Sequence, residues 1–538
     1  PINETVEAAD LILSGKINFP DYGIIDISKG INWKSGGSGI RDQHQNSYLR
    51  QLHGFFFIND LAEAFYITGN RKYLDKGYEI IRDWQEANPR YSPEHRMAWH
   101  DEGTARRLNA LINYYHASQG ILNPEQLNNL YDMITAHAIL LLDEEFYSEN
   151  TNHGMFQDEA LIIFSKYFYS ESKYDYIYER ALNRLETYYD SLISDDYVHL
   201  EHSPSYHQVI ASSLRRFSNV LRSFNDVEAA EKFNDLYLNM VDYGIHVIKP
   251  DGNWPLIGDT YSFSNPPNRN MWDDLRYQYA VSRGKYGEKP ALTNVVYPSA
   301  GYAIFRNSWD IEESETYLFF TAAYHTSYHK HSDDLSFWLY HKKDLITEAG
   351  PFSYQLSDPT TAYAYSSFGH NSLIVNDRGL PRVDGKYDKT KIINFDIDNE
   401  NNPHVTGINE RFENVTHKRT INYNKESNVI TVDDSMESGV RNNYKLLWHI
   451  APNITPKVDE VTNAVYLQDG NIVLAEMKFY SDSPLKMNIF YGDNHEKYKG
   501  LYFAEKSNMQ EVDIVDTFVI VVELEDKNAN VQTEISLK

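Results

Sequence analysis

The stretch YHTSYHKHSDDLSFWLYHKKDLITEAG (324–350) carries the pattern that decides the fold. The runs LSFWLYH (335–341) and LITEAG (345–350) have the short, apolar and aromatic-rich pattern that is typical of β-strands. The intervening HKKD (341–344) predicts a hairpin loop. The stretch is also dense in histidine and acidic residues. It therefore predicts an antiparallel β-hairpin with candidate chemistry at its entry.

Strand patterns extend through the C-terminal half of the chain, after Pro298. They predict an antiparallel, β-rich domain over residues 291–538, most simply a sandwich. The other predicted strands are GYAIFRNS (301–308), TYLFFTAAYH (316–325), NSLIVND (371–377), KIINFDI (391–397), HKRTINYN (417–424), NVITVDDS (428–435), YKLLWHI (444–450), NIVLAEMKFY (471–480) and TFVIVVELE (517–525).

Residues 1–290 have a different period, with apolar residues three and four positions apart, and predict a helical domain. Short connections between the helices favour antiparallel helix pairs. A polar, proline-containing linker near 284–298 joins the two domains, and a cleft between such domains is a common place for a site. The predicted helices are 48–70, 71–87, 104–118, 125–147, 159–168, 174–193, 206–224 and 229–248.

Composition limits the function classes. The 538 residues are 41% hydrophobic and 24% charged, which is typical of a globular protein with two large domains. Cysteine is absent, which excludes disulfides and thiol chemistry. No run approaches the ~18 apolar residues that a membrane span needs. The opening PINETVEAAD has no secretory signal, although a leader could have been removed.

The net charge of −27 argues against nucleic acid as a partner, because phosphate binding needs a basic surface. For a polyanionic sugar, local cations in a cleft would have to act against the global field, which favours a weakly sulfated or unsulfated polymer. The 42 tyrosines suit stacking on sugar rings, although most are expected to fill helix faces.

Two motifs in the helical half carry candidate catalytic groups. In ENTNHGMFQDEAL (149–161), Asn152 can donate an amide N–H and His153 can donate or accept; the alternative is that Asn152 caps a helix. In HLEHSPSYHQVI (199–210), Ser203-Pro204 opens a helix with Tyr206 in its first turn, where the helix dipole favours ionisation. The alternative for Tyr206 is packing on an amphipathic face.

The stretch 324–350, quoted first above, also carries candidate metal ligands. His329 and His331 are two residues apart at the entry of a predicted strand, so both are expected on one face, and Glu348 lies on the predicted return strand. Two histidines and a carboxylate can bind zinc, with Asp333 and Asp334 as competing carboxylates and a solvated cluster as the alternative. His370, in SSFGHNSLIVND (366–377), either completes a metal site or is a hydrogen-bonded core residue.

Substrate-binding candidates come mainly from RYSPEHRMAWHDEGTARR (90–107), which is rich in arginine, histidine and tryptophan for such an acidic chain. Arginine can hold a carboxylate or sulfate through two parallel hydrogen bonds. The alternative is a loop with local salt bridges. The candidates are His95, Arg96, Trp99, Arg106, Gln45 and Tyr324.

Together these motifs resemble the heparinase II/III-like polysaccharide lyases, a superfamily that includes alginate and oligoalginate lyases. The matching segments are NTNHG, EHSPSYH, HKHSDDLSFWLY with LITEAG, GHNSLIV and the early DYGIIDISKGINW (21–33), so the resemblance extends to about residue 380. It implies a multidomain α+β fold, in which an incomplete (α/α) toroid over residues 1–290 precedes an antiparallel β-sandwich over residues 291–538.

The resemblance also implies roles for individual residues. Asn152 and His153 fall on the positions that neutralise the substrate carboxylate, Tyr206 on the catalytic tyrosine, and His329 on the first histidine of the HxH motif. A structural zinc would be held by His331, Glu348 and His370, where the superfamily usually has aspartate at the position of Glu348. No organic cofactor is expected. Tyr206 and His329 are both candidates for the base.

The implied activity is that of a carbon–oxygen lyase acting on polysaccharides. It would cleave a uronate-containing glycan by β-elimination and leave a 4,5-unsaturated uronate. Heparan sulfate or heparosan is favoured, with alginate and hyaluronan or chondroitin as alternatives. The expected location is periplasmic or secreted, with the cytoplasm as the alternative, and the oligomeric state is open.

Two other classes compete with a lyase. A glycoside hydrolase on an (α/α) toroid would need two carboxylates beside the sugar bond, for which Glu102, Asp158, Glu159 and Glu201 are available. A non-catalytic glycan-binding protein would keep an aromatic cleft without needing the Asn-His, Tyr and His set.

Overall fold

The computed structural model describes residues 2–19, 22–36, 40, 45–92, 95–168, 174–261, 266–310, 315–506 and 512–538. Its contacts divide the chain into two compact units, Pro1–Ser191 and Leu192–Lys538. The domain boundary that the sequence predicts near residue 290 lies inside the second unit and stays a prediction.

The first unit is mainly helical, as the apolar spacing predicts. Helix α5 packs against α3, α4, α6 and α7 and forms the middle of the helix array. The helices are α1 (Ile2–Leu13), α2 (Gln45–His53), α3 (Phe56–Thr68), α4 (Lys72–Ala87), α5 (Asp101–Ser118), α6 (Pro124–Leu142), α7 (Asn152–Tyr167) and α8 (Asp175–Leu192), the last ending at the first residue of the second unit. The strands β1 (Lys16–Phe19) and β2 (Gly23–Asp26) form an antiparallel pair.

One predicted helix of the first unit is broken. The sequence predicts a single helix over 48–70, but α2 and α3 are separated at Phe55, whose φ is 61°. The guanidinium of Arg107, which has no exposed surface, donates to the carbonyl oxygen of His53 at 2.6 Å. The break therefore provides an acceptor for a buried cation, a need that hydrophobic periodicity does not reveal.

The second unit begins with further helices. The sequence predicts one helix over 229–248, but the structure interrupts it at Met240, where the Nε2 of buried His207 lies 2.9 Å from the carbonyl oxygen. The helices of this unit are α9 (Pro204–Ser223), α10 (Val227–Asn239), α11 (Val241–His246), α12 (Leu275–Ser282) and α13 (Pro359–Tyr365).

Two large antiparallel sheets make up the rest of the second unit. The first has the order β17-β20-β13-β7-β6-β5-β4-β3, with β8 paired to β13; the second has the order β14-β15-β16-β21-β12-β11-β10-β9. The strands are β3 (Asn294–Tyr297), β4 (Tyr302–Arg306), β5 (Thr316–Thr321), β6 (Phe337–His341), β7 (Lys343–Ile346), β8 (Leu373–Val375), β9 (Thr390–Asp396), β10 (His404–Asn409), β11 (Val415–Asn424), β12 (Val429–Ser438), β13 (Asn442–Ile450), β14 (Thr455–Val458), β15 (Val465–Asp469), β16 (Ile472–Tyr480), β17 (Lys486–Tyr491), β18 (Leu501–Glu505), β19 (Val512–Asp516), β20 (Phe518–Asp526) and β21 (Ala529–Leu537). β18 and β19 form a separate pair.

Both sheets contribute to one core, so they form a sandwich. Phe320 and Trp448 of the first sheet belong to the same buried cluster as Ile421 and Val432 of the second. In β11 every second residue is buried, as expected for a sheet with one solvent face. Strands β4 and β5 are buried along their whole length, because α11 and its C-terminal end cover the other face of the first sheet; the Tyr317 hydroxyl, for example, donates to the carbonyl oxygen of Val247 at 3.0 Å.

The hairpin predicted within residues 324–350 is present, and its loop is shorter than the predicted 341–344. Strands β6 and β7 pair antiparallel, and Lys342 alone separates them, with a φ of 64°.

Among the described helices, none is both long and apolar enough to cross a membrane.

Gly301 provides a test of the packing at the start of β4. Its φ is 84°, and a Cβ atom there would fall well inside contact distance of the carbonyl oxygen of Ala322. We expect Gly301→Ala to lower the free energy of unfolding by about 2–4 kcal/mol, as strain and overpacking do elsewhere. Gly439→Ala is the matched control, because a Cβ atom at Gly439 would meet no atom of the described residues within 4 Å. Urea unfolding curves with equal stability for both variants would contradict this packing.

Candidate active site

The candidate donors of the first unit lie at the N-terminal end of α7. Thr151 caps this helix, because its side chain accepts a hydrogen bond from the backbone N–H of Gly154 at 3.1 Å. Asn152 is therefore the first helical residue, and capping does not account for it. A Cβ atom at position 154 would collide with the carbonyl oxygen of Ser148, so glycine allows the loop to approach the helix. Asn152 and His153 are both half-buried.

Carboxylates of the first turn of α5 hold His153. Its Nδ1 lies 3.0 Å from Asp101 Oδ1, and its Nε2 lies 3.7 Å from Glu102 Oε2. Because an ionised carboxylate only accepts hydrogen bonds, Nδ1 carries the proton in the shorter contact. The hydrogen bond to Asp101 raises the pKa of His153, against the opposing effect of burial. A larger fraction of the His153 side chain is then protonated near neutral pH, which suits it to an anionic ligand.

Asp101 is itself fixed by several hydrogen bonds. His100 Nδ1 lies 2.9 Å from its Oδ1, and the Ser148 hydroxyl donates to its Oδ2. Burial alone would raise the pKa of Asp101, but the hydrogen bonds from His100, His153 and Ser148 hold it well below its usual range. His100, Asp101 and His153 bring one potential ligand atom each within 4.8 Å of one another.

Two arginines balance the charge of Glu102. Arg50 lies 3.1 Å from its Oε2, and Arg106 Nε donates to its Oε1 at 2.8 Å. Burial would raise the pKa of Glu102, but Arg106 and Arg50 outweigh it and lower that pKa. The side chain of Arg106 remains 52% exposed and lies over the ring of Phe156. Its guanidinium can therefore still reach an anionic ligand, and its role in substrate binding stays a prediction.

The other substrate-binding candidates before α5 differ in their surroundings. His95 and Arg96 are exposed. Trp99 packs inward, with its ring centroid 5.3 Å from that of Trp84 and 5.4 Å from that of His137. The exposed pair is available to a ligand, whereas Trp99 already has aromatic partners.

Gln45 and Tyr324 have structural partners that account for them. Gln45 accepts a hydrogen bond from the backbone N–H of Gly36 at 2.6 Å. Tyr324 has no exposed surface, and its hydroxyl accepts hydrogen bonds from the backbone N–H groups of Asp384 and Gly385 at 2.9 and 3.1 Å. A buried ring with an occupied hydroxyl cannot contact a glycan in this conformation, so Tyr324 acts as a packing residue.

Tyr206 and His329 form the central pair of the second unit. Their ring centroids are 3.6 Å apart, and the ring planes are inclined by 21°. Tyr206 lies in the first turn of α9, which follows Ser203 and opens with Pro204 as the sequence predicts. The hydroxyl groups of Tyr206 and Tyr354 are 3.1 Å apart. The fold therefore places a phenol against an imidazole from a distant part of the chain.

One carboxylate holds both histidines of the HxH motif. His329 Nδ1 lies 2.8 Å from Asp259 Oδ2, and His331 Nε2 lies 3.0 Å from Oδ1. The Tyr365 hydroxyl also donates to Oδ1, at 2.7 Å. Burial alone would raise the pKa of Asp259, but the hydrogen bonds from His329 and His331 hold it well below its usual range.

The expected strand position of these histidines is wrong. The sequence places His329 and His331 at a strand entry and therefore on one face, but β6 begins only at Phe337. His329 has a φ of 51°, in the left-handed region rather than the extended one. The two rings meet Asp259 because the loop turns at His329, and strand alternation plays no part.

Buried His202 anchors this loop. Its Nε2 accepts a hydrogen bond from the backbone N–H of His325 at 3.1 Å, so its Nδ1 carries the proton and donates to the carbonyl oxygen of Tyr328 at 3.0 Å. Burial lowers the pKa of His202 well below its ordinary value, which keeps the ring neutral and this pattern intact. The loop is thereby fixed immediately before His329.

Glu201 is a buried carboxyl group beside the central pair. Its Oε2 lies 3.6 Å from His329 Nε2 and 3.7 Å from His199 Nε2. Burial raises the pKa of Glu201, against the opposing effect of His329. Glu201 is thus a buried carboxyl group in contact range of the imidazole, a position that sequence reasoning did not assign to it.

The predicted zinc ligands lie together in the interior of the second unit. His331, Glu348 and His370 have no exposed surface. His370 Nδ1 lies 3.0 Å from Glu348 Oε2, and the ring centroids of His331 and His370 are 5.2 Å apart. Glu348 does not lie on the return strand as expected, because β7 ends at Ile346.

The donor atoms of this set fit a metal. His370 Nδ1 and Glu348 Oε2 contact each other, but within the described residues no hydrogen bond reaches His331 Nδ1, Glu348 Oε1 or His370 Nε2. Buried polar atoms without such partners are rare, and two imidazoles with one carboxylate are a set that zinc accepts. Among the described residues, His100, Asp101 and His153 are the group whose potential ligand atoms lie within 4.8 Å of one another. The donor atoms of His331, Glu348 and His370 are farther apart, so a zinc ion would draw them closer together.

The competing carboxylates are already engaged. Lys330 Nζ donates to Asp333 Oδ1 at 2.5 Å, and Arg411 donates to Asp334 Oδ2 at 2.8 Å. Both pairs are buried. Glu348 is therefore the carboxylate that remains beside His370.

Sequence reasoning missed the side chains that support the candidate residues. Asp259 follows Gly258 in PLIGDT (255–260), a segment without helical or strand periodicity. Asp101 and His202 carry no local signal that separates them from other polar residues. A glycine followed by an acidic residue was the one weak indication, and it is as typical of a simple turn.

Two family profiles match nearly the whole chain. The profile described as Heparinase II/III N-terminus matches residues 3–280, and that described as Heparinase II/III-like, C-terminal, matches residues 290–532. The heparin-sulfate lyase of Pedobacter heparinus is 22% identical over 478 residues, which cover 85% of this chain and 70% of that protein. The heparin-sulfate lyase of Bacteroides thetaiotaomicron is 21% identical over 504 residues, covering 86% and 70%.

Solved structures share the fold. The crystal structure of heparan sulfate lyase HepC from Pedobacter heparinus has a TM-score of 0.73 at 20% identity, covering 100% of this chain and 83% of that chain. A crystal structure of heparinase III has a TM-score of 0.77 at 16% identity, covering 99% and 84%. The predicted fold class, an (α/α) toroid followed by an antiparallel β-sandwich, is confirmed. Because the two family profiles together span both parts of this fold, the chain belongs to the heparinase II/III family.

Proposed function

We propose that this chain, a polysaccharide lyase of the heparinase II/III family, cleaves a uronate-containing glycan of the heparan sulfate or heparosan type by β-elimination. The stacked pair of Tyr206 and His329 carries the proposal, because it offers a phenol and an imidazole to one sugar ring. Relatives named heparin-sulfate lyase support the substrate class. The net charge of −27 favours its weakly sulfated members, since long-range repulsion grows with the charge of the polymer.

The second unit supplies the proton transfers. A base takes the proton from C5, the electron pair forms the C4–C5 double bond, and the bond from C4 to the glycosidic oxygen breaks. The leaving oxygen then receives a proton. His329 Nδ1 is engaged by Asp259, which leaves Nε2 to act as the base, and the Tyr206 hydroxyl serves as the acid. Tyr206 as phenolate is the alternative base, for substrates with the opposite configuration at C5.

The first unit supplies donors for the uronate carboxylate. The proton on C5 is very weakly acidic while the carboxylate beside it is anionic, so charge that develops in the transition state must be stabilised. Asn152 offers a neutral amide N–H, and within the described residues no hydrogen bond occupies its side chain. His153, held by Asp101, offers a second donor. Preorganised donors of this kind contribute roughly 3 kcal/mol each.

The predicted zinc would have a structural role. His331, Glu348 and His370 would hold it, and His331 would donate its other N–H to Asp259, as metal-bound histidines commonly do to a carboxylate. The ion would fix the segment that carries His329. None of the proton transfers above passes through it.

The product tests the reaction class. We expect heparosan or heparan sulfate to yield unsaturated uronate, seen as a rise in ultraviolet absorbance, and Tyr206→Phe to lower kcat by a factor of about 10² or more while glycan binding persists. Tyr286→Phe is the control, because Tyr286 is 66% exposed and belongs to no site. New reducing ends without ultraviolet absorbance would indicate a hydrolase. Binding without any cleavage of heparosan, heparan sulfate, alginate, hyaluronan or chondroitin would indicate a non-catalytic glycan-binding protein.

The carboxylate donors are tested by Asn152→Asp. This change keeps the shape of the side chain but sets a negative charge against the substrate carboxylate, and we expect kcat/KM to fall by about 10²–10³. Asn401→Asp adds the same charge at an exposed position and should change kcat/KM by less than about twofold at moderate salt. Equal values for the two variants would remove Asn152 from the proposed mechanism.

The zinc proposal is tested by metal analysis. We expect about one zinc per purified chain, loss of most of it in Glu348→Gln, and a lower Tm after chelation, because a bound metal stabilises the folded state. Glu410→Gln, at a half-exposed position, is the control and should keep its metal. A metal-free wild-type chain that neither binds added zinc nor gains stability from it would contradict the proposal.

A further inference from the structure

We propose that Asp259 is a positioning residue, which keeps the proton of neutral His329 on Nδ1 and so leaves Nε2 as the atom that accepts the substrate proton. The catalytic part of this inference rests on the proposed lyase function, whereas the position of the proton on His329 does not. The proposal stands on the hydrogen bonds of Asp259, the backbone around it and the surroundings of the imidazole.

The carboxylate of Asp259 cannot rotate freely. Its Oδ2 accepts a hydrogen bond from His329 Nδ1 at 2.8 Å. Its Oδ1 accepts hydrogen bonds from His331 Nε2 at 3.0 Å and from the Tyr365 hydroxyl at 2.7 Å. The residue is only 2% exposed, so water has little access to these contacts. Turning Oδ2 away from His329 would break two other buried hydrogen bonds, each costly to leave unmade. The direction of Oδ2 is therefore set before substrate binds.

The contact fixes which nitrogen of His329 carries hydrogen. Three donor groups converge on the two oxygens of Asp259, and an ionised carboxylate has no hydrogen to give. The nitrogen of His329 that faces Oδ2 is Nδ1, so the N–H of the neutral ring is there. Its lone pair is then on Nε2, and a base needs that lone pair.

The backbone is shaped to bring Asp259 to this place. A Cβ atom on Gly258 would collide with the carbonyl oxygen of His202 and lie 2.9 Å from that of His329, so only glycine allows the two segments to approach this closely. His329 itself has a φ of 51°, which is uncommon for a residue with a side chain. Strain held at one residue by its neighbours is typical of functional sites.

The surroundings of the ring leave Nε2 accessible. Tyr206 covers one face of the imidazole with its centroid 3.6 Å away, which restricts ring rotation. The contact of Nε2 with Glu201 Oε2, at 3.6 Å, is longer than a hydrogen bond. The side chain of His329 remains 17% exposed. Nε2 thus has room for a substrate hydrogen, and Asp259 stabilises the imidazolium that forms when Nε2 takes it.

The first test is Asp259→Asn. An amide can turn its N–H toward Nδ1 of His329, which moves the ring hydrogen to Nε2 and blocks the base. We expect kcat to fall by about 10²–10⁴, the scale known for the wrong tautomer of a catalytic histidine, while KM changes less than about threefold. A kcat within about threefold of wild type in a folded variant would overturn the catalytic part of the proposal.

Tyr365→Phe is the matched control. It removes another hydrogen bond to the same carboxylate but leaves the contact of His329 with Oδ2, so kcat should stay within about fivefold of wild type, on the scale of one ordinary hydrogen bond. Circular dichroism, Tm and metal content of both variants separate a local effect from a loss of folding. Equal losses of kcat in the two variants would mean that Asp259 acts through general packing.

The second test needs neither activity nor a variant. A neutron structure of the unmodified protein at about pD 8.5, well above the ordinary imidazole pKa, should show deuterium on His329 Nδ1 and none on Nε2. Deuterium on Nε2 with a bare Nδ1 would overturn the proposal, even if the chain proves to be an active lyase. If no uronate polymer is cleaved, the lyase function fails, and the neutron result still decides whether Asp259 sets the tautomer.

Discussion

The candidate site depends on the contact between an aspartate and the Nδ1 of a histidine. Asp259 holds His329 in this way at 2.8 Å, and in the first unit Asp101 holds His153 at 3.0 Å. Each contact engages Nδ1, while the Nε2 of His329 and that of His153 lie 3.6 and 3.7 Å from the carboxyl groups of Glu201 and Glu102. The burial that makes these carboxylates costly to ionise is outweighed by the donors that surround them, so each stays anionic and fixes its histidine.

The charge around the first unit's candidate donors differs from the charge of the whole chain. The net charge of −27 is a global property, whereas a ligand meets local groups. In the first unit the negative charge of Glu102 is already balanced by Arg50 and Arg106. His153 has a raised pKa, so it adds positive charge beside this balanced group. Local pairing of this kind separates the chemistry of the site from the charge of the whole surface.

The two units use different scaffolds for these histidines. His153 lies in the first turn of α7, where helix geometry sets its direction. His329 has left-handed backbone and lies in a loop, where the preceding residues His325 and Tyr328 form hydrogen bonds with His202. A loop can bring His329 and His331 to opposite oxygens of one carboxylate, which the regular spacing of a strand does not explain. The candidate zinc ligands and the candidate base are thereby joined through Asp259.

The sequence by itself determined most of the helices and strands and the candidate catalytic residues. Apolar spacing predicts the helices and strands because burial of one face repeats with the period of the element, and the motifs name Asn152, His153, Tyr206 and His329. Only the tertiary structure decided where helices break, as at Phe55, and that His329 lies in a loop. It alone revealed Asp259, because the contacts of a buried polar side chain are made with residues distant in sequence, and no local pattern records them.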